Sequence, residues 1–290
     1  MTNAAGTTGA VSAAPVFVDL HMHSTASDGA RPPREVVQAA RDARLAAIAL
    51  TDHDTVAGVA EAQAAGAQLG VRVIAGVELS AVEGDEETHV LGLHLEDVEE
   101  MQDRLEALRE MRVSRAERIV ARLNELGVSI TMGDVLEQAA GGAVGRPHVA
   151  RVLIAHGWVG DFREAFDRYL AFGRPAYVGK DRLPMAEAIS MIHRAGGLAV
   201  LAHPGENGRR DRLAALAALG MDGVEVRHPG HSPDVTRSLA AVADLLGLVP
   251  SGGSDWHGTS DRGRDIGMMQ VPLAWLERQD AMVSGRRAAR

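Results

Sequence analysis

The sequence contains no cysteine, so disulfide bonds and thiolate metal sites are both impossible, and any bound metal must be held by nitrogen and oxygen atoms. It also has no apolar run that approaches the roughly 20 residues needed to cross a bilayer. Residues 1–14 have neither a basic start nor a long apolar stretch, so they fail as a signal peptide and are predicted to be a flexible tail. The lack of cysteine leaves the compartment open, but the lack of a membrane-spanning run and of a signal peptide predicts a cytoplasmic protein that makes no contact with a membrane.

An excess of positive charge is also missing, because the formal net charge at pH 7 is −9. This acidic balance argues against broad binding to duplex DNA. It is compatible with a phosphorylated substrate, since two or three bound divalent cations would add about four to six positive charges at one place. The 290 residues, of which 46% are hydrophobic, are enough to bury the core of one α/β barrel or of two smaller domains.

Seven hydrophobic runs have the composition of β-strands, and almost every one leads directly into a histidine or a carboxylate. They are residues 17–23, 46–54, 71–80, 88–94, 197–204, 223–229 and 248–258. Enzymes built on parallel strands place their chemistry at the carboxyl ends of those strands. Six of the twelve histidines are brought to one rim in this way, together with three acids. A cluster of divalent metal ions is the simplest reason for so many imidazoles and carboxylates to meet.

Changes in the hydrophobic pattern divide the chain into a discontinuous barrel and an insertion. In the first part, helices are predicted to begin near Pro33 and near Val56. From about residue 97 to residue 175 only helical spacing is found, and this stretch is predicted to be a helical insertion that covers the rim. The barrel is then assigned to residues 15–96 and 176–275, and residues 276–290 are predicted to form a poorly ordered C-terminal tail.

A short acidic connection, residues 81–87, joins the third and fourth runs. A parallel crossover needs about a dozen residues or more, so the fourth strand is predicted to run antiparallel to the third. This hairpin would place His89 beside Glu78. Glu78 ends an otherwise apolar strand, where an unpaired carboxylate would be costly, so a metal ion is a good reason for its presence.

The remaining candidate ligands form short motifs at the other strand ends. His21 and His23 are two residues apart, so in a strand their side chains share one face and can bind one metal. Asp255 and His257 form a similar pair after the last run. Taken singly, each motif has an ordinary alternative, such as a polar strand end or a turn aspartate. Together the candidate metal ligands are His21, His23, Asp28, His53, Glu78, His89, His203, Asp255 and His257.

These residues and their order resemble the polymerase and histidinol phosphatase (PHP) domain family. The resemblance covers roughly residues 16–96 and 176–260, and all nine ligand positions expected for the family are filled. It implies an α/β fold, a distorted seven-stranded (β/α)7 barrel, which agrees with the seven runs. It also implies a site for two or three divalent metals, usually manganese, iron or zinc.

The resemblance further implies how the ligands divide among the metals. One metal would be held by His21, His23, Glu78 and Asp255. A second, bridged to the first by Glu78, would be bound by His89 and His203. A third would be bound by Asp28, His53 and His257.

The reaction implied by such a site is phosphoester hydrolysis by in-line displacement. A hydroxide that bridges two metals is a nucleophile at neutral pH, and the neighbouring metals hold the phosphate oxygens. The general acid for the leaving alkoxide is either a metal or His228, which lies just past the sixth run and would also contact the substrate. The alternative for His228 is a histidine in a surface loop.

Recognition of the substrate should need positive charges beyond the metals. Arg146 and His148 lie at a predicted helix start, where backbone N–H groups also favour anions. Arg174 and Lys180 lie near the return to the barrel. These four residues are the candidate substrate contacts, and the alternative for each is a solvated helix face or an ordinary loop charge.

The insertion and the motifs THVLGL, GRPHVA, GRPAYV and AHP resemble the stand-alone PHP phosphoesterases that act on nucleotides. Such enzymes remove the 3′-phosphate from 3′,5′-nucleoside bisphosphates, converting pAp to AMP and phosphate, and some trim short RNA from its 5′ end. The expected partner is a small nucleotide or a short single-stranded RNA. Arg227 departs from the pattern, since a tyrosine is expected before His228. The alternatives are a histidinol-phosphate phosphatase, a polymerase-associated module and a metal-binding regulatory protein without turnover.

Overall fold

The computed structural model of the protein describes residues 16–84, 86–139, 144–179, 183–259 and 264–289. The strands are β1 Phe17–Asp19, β2 Ala47–Leu50, β3 Arg72–Glu83, β4 Glu86–Leu93, β5 Leu183–Pro184, β6 Leu198–Leu201, β7 Gly223–Arg227, β8 Val249–Gly252 and β9 Val271–Pro272. The α-helices are α1 Pro33–Asp42, α2 Val59–Leu69, α3 Val98–Glu125, α4 Met132–Ala139, α5 Arg146–Ala155, α6 Phe162–Ala165, α7 Met185–Arg194, α8 Arg210–Ala218, α9 Pro233–Leu246 and α10 Leu273–Ala289. A π-helical turn, Phe166–Leu170, continues α6. The predicted tail, residues 1–14, lies outside the described residues.

The strands form one sheet in the order β8-β7-β6-β4-β3-β2-β1-β9, and β5 pairs with the far end of β3. The neighbours β1, β2 and β3 are parallel to one another, as are β6, β7 and β8. Between these two groups, β4 runs antiparallel to both β3 and β6, which confirms the predicted hairpin. Each of the seven predicted runs contains a strand. The two-residue strands β5 and β9 come in addition, so the predicted count of seven is too low.

The two ends of the sheet curve towards each other and nearly close a barrel. Just beyond β1, the Leu20 N–H donates to Gly252 O (3.1 Å), and the Asp255 N–H donates to His21 O (2.9 Å). Gly253 permits this approach, because a Cβ atom there would lie 2.4 Å from the Cβ atom of His21. The first and last parts of the barrel therefore share one rim.

Alternation of side chains along the strands separates the barrel interior from an outer layer. The inner hydrophobic cluster includes Leu20, Ile74, Leu91 and Val200. The outer cluster, packed under the helices, includes Val77, Leu79, Val224 and Val226. Because side chains two or four positions apart share a face, Glu78 lies on the inner face with Ile74, and His89 lies there with Leu91. Polar groups thus occupy one mouth of an otherwise apolar barrel.

The helices of the predicted insertion follow β4 directly. From residue 98 to residue 170, the described residues form helices and turns but no strand, as predicted. The carboxylate of Asp97 caps α3 by accepting the Glu100 N–H at 2.8 Å. These helices bury a hydrophobic cluster of their own, which includes Ile119, Leu123, Val149 and Leu153. The domain boundaries near residues 97 and 175 stay predictions.

The C-terminal segment departs most from the prediction. Residues 276–290 were expected to be poorly ordered, whereas α10 extends to Ala289. Leu276 and Gln279 are fully buried, and Val283 is nearly so. The prediction was wrong because only three residues of this helix are buried and one of them, Gln279, is polar. The apolar pattern in the sequence is therefore too weak to predict a helix.

Two element boundaries also differ from the prediction. The second helix begins at Val59 rather than near Val56, because residues 56–58 form a turn. The acidic connection 81–87 belongs largely to the hairpin, since β3 extends to Glu83 and β4 begins at Glu86.

No helix in the described ranges combines the length and the apolar character needed to span a membrane.

Candidate metal centre

Glu78 is the centre of the candidate site, because its carboxylate faces five imidazole rings. Its side chain is 1% exposed. One oxygen, Oε1, lies 2.8 Å from His89 Nδ1 and 3.0 Å from His203 Nε2. The other, Oε2, lies 3.2 Å from a ring nitrogen of each of His21, His23 and His53. Five histidines from four separate parts of the chain therefore meet at one buried carboxylate.

The strand that carries Glu78 passes the site instead of ending there. Glu78 was predicted to end its strand, but β3 continues to Glu83 and stays paired with β4. The neighbouring strand β2 does end, at Leu50, and His53 forms a parallel bridge with Glu78. His53 therefore follows the end of a strand, whereas Glu78 lies beside it in the middle of a longer strand.

The surroundings of His23 indicate whether these residues suit a metal ion. It is fully buried, and neither of its ring nitrogens has a hydrogen-bond partner. Its Nε2 atom instead lies 3.1 Å from Asp255 Oδ1 and 3.2 Å from Glu78 Oε2. Buried polar atoms without partners are costly. A divalent cation coordinated by the imidazole nitrogen and the carboxylate oxygens would satisfy them, so the donor set fits a metal.

Three overlapping groups of residues offer ligand atoms that lie within 4.8 Å of one another. The first is His21, His23, Glu78 and Asp255, the set predicted for one metal. The second is His23, Asp28, His53 and His257, which adds His23 to another predicted set. The third is His53, Glu78 and His89, with His53 in place of the predicted His203. All three groups combine imidazole with carboxylate, a donor set that suits zinc, iron or manganese, and the identity of each metal stays a prediction.

The carboxylates and imidazoles of the cluster shift one another's pKa values. Burial by itself would raise the pKa of Glu78, but the surrounding histidines, His21 first, hold it well below its usual range. Burial would likewise raise the pKa of Asp28, but His257 and its neighbours lower it to about 2. Burial would lower the pKa of His21, yet the carboxylates of Glu78 and Glu225 raise it well above its usual value. The acids are therefore ionised at neutral pH, the state in which they can bind cations.

Several strained backbone positions lie at this rim. Six non-glycine residues in the described ranges have a positive φ, and three of them belong to the site or adjoin it, namely Asp54 (49°), His203 (26°) and Asp255 (50°). Non-glycine residues adopt such values only where the surrounding structure imposes them. At Asp54, for example, the carboxylate accepts the Ser80 N–H at 3.0 Å. Strain at these positions is consistent with a site whose side-chain directions are fixed by function.

Two contacts of the cluster have no counterpart in the sequence prediction. The fully buried Glu225 on β7 accepts a hydrogen bond from His21 Nδ1 at 3.2 Å. The guanidinium of Arg264 forms an ion pair with the carboxylate of Asp255. Glu225 does leave a signal in the sequence, because it is a lone acid between two valines of an apolar strand (GVEVR). Arg264 lies in a stretch without apolar spacing or motif, so nothing singles it out.

His228 is buried beside the cluster, so the alternative of a surface-loop histidine is wrong. Its Nε2 atom lies 3.3 Å from Asp255 Oδ2, and its Nδ1 atom accepts the Gly230 N–H at 3.0 Å. Its ring centre is 5.2 Å from that of His203. The role of general acid stays a prediction.

Arg227 points away from the cluster. Its Nη1 atom donates to Met269 O at 3.2 Å, and its guanidinium lies 5.4 Å from the centre of the Trp275 indole. The residue that replaces the expected tyrosine therefore joins the end of β7 to the segment around β9 and α10.

The predicted substrate contacts occupy different environments. His148 uses its Nδ1 atom to accept the Gly145 N–H at 3.0 Å, so it caps the start of α5. Arg174 is exposed. Lys180 lies outside the described residues. Arg146 faces a cavity, and contact of any of the four with substrate stays a prediction.

A cavity of about 360 Å³ lies between the rim and the helices that follow β4. It adjoins the metal-ligand cluster, because its lining includes Asp54, the residue after His53, and Ser80, which pairs with His89. On the insertion side its lining includes Arg112, Arg115 and Arg146. Arg112 also binds the carboxylate of Asp54 at 2.9 Å, so α3 is tied directly to the rim.

Arg146 is held between two aromatic rings at this cavity. Its guanidinium carbon lies 5.7 Å from the centre of the Phe166 ring and 5.6 Å from that of Tyr177. Its Nη1 atom donates to Leu170 O at 3.1 Å. The Tyr177 ring in turn meets the edge of Phe172, whose side chain is 85% exposed. The cavity thus combines a guanidinium of fixed orientation with an exposed aromatic ring close by.

Comparison with known proteins identifies the family. Residues 19–173 match the PHP domain. The chain is 38% identical over 257 residues to a 3′,5′-nucleoside bisphosphate phosphatase of Chromobacterium violaceum, covering 86% of this chain and 90% of that one. It is 36% identical over 250 residues to the 5′-3′ exoribonuclease Rnm of Escherichia coli, covering 83% and 85%. A solved structure from Bifidobacterium adolescentis, assigned as a metal-dependent phosphoesterase, is similar with a TM-score of 0.67 and 32% identity over 92% of this chain and 96% of that one. The chain therefore belongs to the PHP domain family and is a metal-dependent phosphoesterase.

Proposed function

We propose that the protein removes the 3′-phosphate from 3′,5′-nucleoside bisphosphates, converting pAp to AMP and phosphate, and that it also trims short RNA from its 5′ end. One observation carries the proposal. The metal-ligand cluster adjoins a cavity in which Arg146 is fixed between Phe166 and Tyr177, next to two further arginines. The names of the relatives from Chromobacterium violaceum and Escherichia coli support the same pair of reactions.

The two reactions break the same kind of bond. In each, water adds to phosphorus, the bond from phosphorus to the 3′ oxygen of a nucleotide breaks, and that oxygen leaves with a proton. The released nucleotide carries a 5′-phosphate and a free 3′-hydroxyl in both cases. A single subsite for a 5′-phosphorylated nucleotide beside the cluster can therefore serve both reactions.

The residues of the chain take distinct parts in this proposal. Bound divalent cations, with manganese as the proposed ion, would lower the pKa of a coordinated water and neutralise the phosphate oxygens. Arg146 binds the 5′-phosphate, because a guanidinium fork matches two phosphate oxygens and its direction is already fixed. The cavity volume of about 360 Å³ lies within the range of small-molecule sites.

His228 is the proposed general acid for the departing 3′ oxygen. Its Nδ1 atom accepts the Gly230 N–H, so the proton of the neutral ring sits on Nε2, which faces the cluster. Burial and the contact with Asp255 keep this N–H in a fixed direction. Arg174 and Lys180 are proposed as further contacts for the phosphates of a longer RNA. A cytoplasmic location would suit these substrates.

The proposal is tested with protein purified in the presence of Mn²⁺. Phosphate release is measured from pAp and from histidinol phosphate, and nucleotide release from a short 5′-phosphorylated RNA. We expect rapid conversion of pAp to AMP, slower trimming of the RNA, and loss of both activities in His21→Ala. Turnover of histidinol phosphate alone would overturn the substrate assignment. A metal-loaded protein with no activity on any of the three substrates would overturn it as well.

The nucleotide subsite is tested with a matched pair of arginine variants. Arg146→Ala should raise KM for pAp at least tenfold, as expected for the loss of a charge-assisted hydrogen bond of about 1.5–3 kcal/mol. It should change hydrolysis of p-nitrophenyl phosphate little, because that ester has no second phosphate. Arg174→Ala removes the same charge from an exposed position that is not part of the cavity lining and should have the smaller effect on pAp. Equal effects of the two variants would argue against a subsite at Arg146.

A further inference from the structure

We propose that Glu225 is a positioning residue for metal binding, which fixes the tautomer and the direction of the His21 imidazole from inside the barrel. Glu225 is outside the predicted ligand set and outside the three candidate metal groups. The proposal concerns how the site is prepared for a metal and does not depend on which phosphoester is hydrolysed.

The position of Glu225 in β7 directs its side chain into the barrel. Its neighbours Val224 and Val226 both pack in the outer hydrophobic cluster, and alternation along the strand places Glu225 on the opposite, inner face. The side chain is fully buried there. It lies below the mouth of the barrel, where it can reach groups on other strands.

The Glu225 carboxylate joins two ligand-bearing segments. Its Oε1 atom lies 3.2 Å from His21 Nδ1, 204 residues away in the sequence. Its Oε2 atom accepts the backbone N–H of His203 at 2.7 Å. Both oxygens are therefore engaged with histidines that face Glu78. An acid with this pair of contacts sets the distance between β1 and the end of β6 as well as the direction of one ring.

The hydrogen bond to Glu225 decides which nitrogen of His21 can bind a metal. An ionised carboxylate can only accept, so the Nδ1 atom of His21 must carry the proton. When a metal ion takes the place of the second proton, the lone pair of the ring is on Nε2, which points at Glu78 Oε2 (3.2 Å) and Asp255 Oδ1 (3.5 Å). Three acceptor atoms that converge in this way need a proton or a metal ion between them. Carboxylate partners of metal-binding histidines have this effect on tautomer and orientation.

A purely structural role explains Glu225 poorly. Full burial of a carboxylate is costly, and a neutral side chain of similar size could fill the same space. An acid is needed only if its charge or its acceptor atoms act on something. The partners of Glu225 are a ring N–H and a backbone N–H of two candidate ligands, so its effect falls on the metal site.

The test compares Glu225→Gln with Asp222→Asn. Both replace a buried acid next to or within β7, but Asp222 pairs with Arg286 and His193, away from the cluster. Chelator-stripped proteins are titrated with Mn²⁺ by calorimetry, and their thermal unfolding is recorded. Glu225→Gln should bind the metal at the His21 site about 10–100-fold more weakly, the usual effect of removing such a partner. Asp222→Asn should lose stability and keep its Mn²⁺ affinity.

Two results of this comparison would overturn the proposal. A folded Glu225→Gln protein with unchanged Mn²⁺ affinity would show that the acid does not position a ligand. Equal losses of affinity in both variants would show that the effect is general destabilisation.

A second measurement needs no variant to fold. In the Zn²⁺-loaded protein with its natural sequence, ¹⁵N NMR should show His21 protonated at Nδ1 and bound to metal through Nε2. The reverse assignment would overturn the proposal. Since neither experiment measures turnover, a failure to hydrolyse pAp would leave this inference standing, and a failure here would leave the nucleotide substrates untouched.

Discussion

Replacing Glu78 by glutamine should remove two bound metals, because Glu78 belongs to two of the three candidate metal groups. Glutamine keeps the size of the side chain and one acceptor oxygen, but it removes the negative charge that two cations would share. The group formed by His23, Asp28, His53 and His257 does not contain Glu78 and should keep its metal. The variant is therefore expected to lose two of three bound metals and to keep one.

The size of the loss follows from the surroundings of Glu78, whose oxygens lie within 3.2 Å of five imidazole nitrogens. Two unit charges about 4 Å apart interact by about 4 kcal/mol at an effective dielectric constant of about 20, and a divalent ion doubles this value. The cost of desolvating the buried carboxylate offsets several kcal/mol of this attraction. A net loss of about 3 kcal/mol for each metal remains, which corresponds to an affinity about a hundredfold weaker.

The assay is the metal content after equilibrium dialysis against Mn²⁺, measured by mass spectrometry of the digested protein. Asp28→Asn is the matched control, because Asp28 is half exposed and belongs to only one candidate group. If the original protein retains three metals, Asp28→Asn should retain two and Glu78→Gln one. Equal metal content in the two variants, both folded by circular dichroism, would refute the bridging role of Glu78.

Three further predictions concern base contact, the C-terminal helix and pH. Phe172→Ala should raise KM for pAp by about 5–150-fold, the range given by base–aromatic stacking of about 1–3 kcal/mol, and should leave thermal unfolding unchanged because the ring is 85% exposed. Leu276→Ala should lower the free energy of unfolding in urea by about 2–5 kcal/mol, since Leu276 is fully buried, whereas Leu245→Ala, at a leucine 61% exposed, should change it by less than about 0.5 kcal/mol. Burial would raise the pKa of Asp222, but His193 and Arg286 lower it, so its stabilising contribution is complete above the unfolded pKa of about 4 and is lost as the pH falls further. The difference in unfolding free energy between the natural sequence and Asp222→Asn should therefore shrink between about pH 5 and pH 3, and a constant difference would contradict this sign.

The parts of the fold that could be predicted depend on local pattern. An apolar run that leads into a histidine marks both a strand and the side chain it delivers, as at His21 and His203. The short acidic connection after the third run was enough to predict an antiparallel hairpin and the contact of His89 with Glu78, observed at 2.8 Å. In each case the information lies within about ten residues of sequence.

The parts that could not be predicted depend on contacts between distant residues. Glu225 acts across the barrel on a histidine 204 residues away, and its own strand gives no indication of that partner. The order of α10 rests on the burial of Leu276 and Gln279 against the barrel, and a buried glutamine does not read as a core position. The sequence predicts that the strand ends at Glu78 because an acidic connection, residues 81–87, follows soon after it, whereas most of that connection pairs within the hairpin.

The seam between the first and last strands of the barrel has a consequence for how the protein folds. Asp19, at the end of β1, accepts the Ser254 N–H across 235 residues of sequence, and contacts of such separation form late because they must close a long loop. During synthesis His21 and His23 leave the ribosome long before Asp255 does, so the first candidate metal group is incomplete until the chain is almost finished. Metal ions that bind only the closed barrel would therefore stabilise it by mass action.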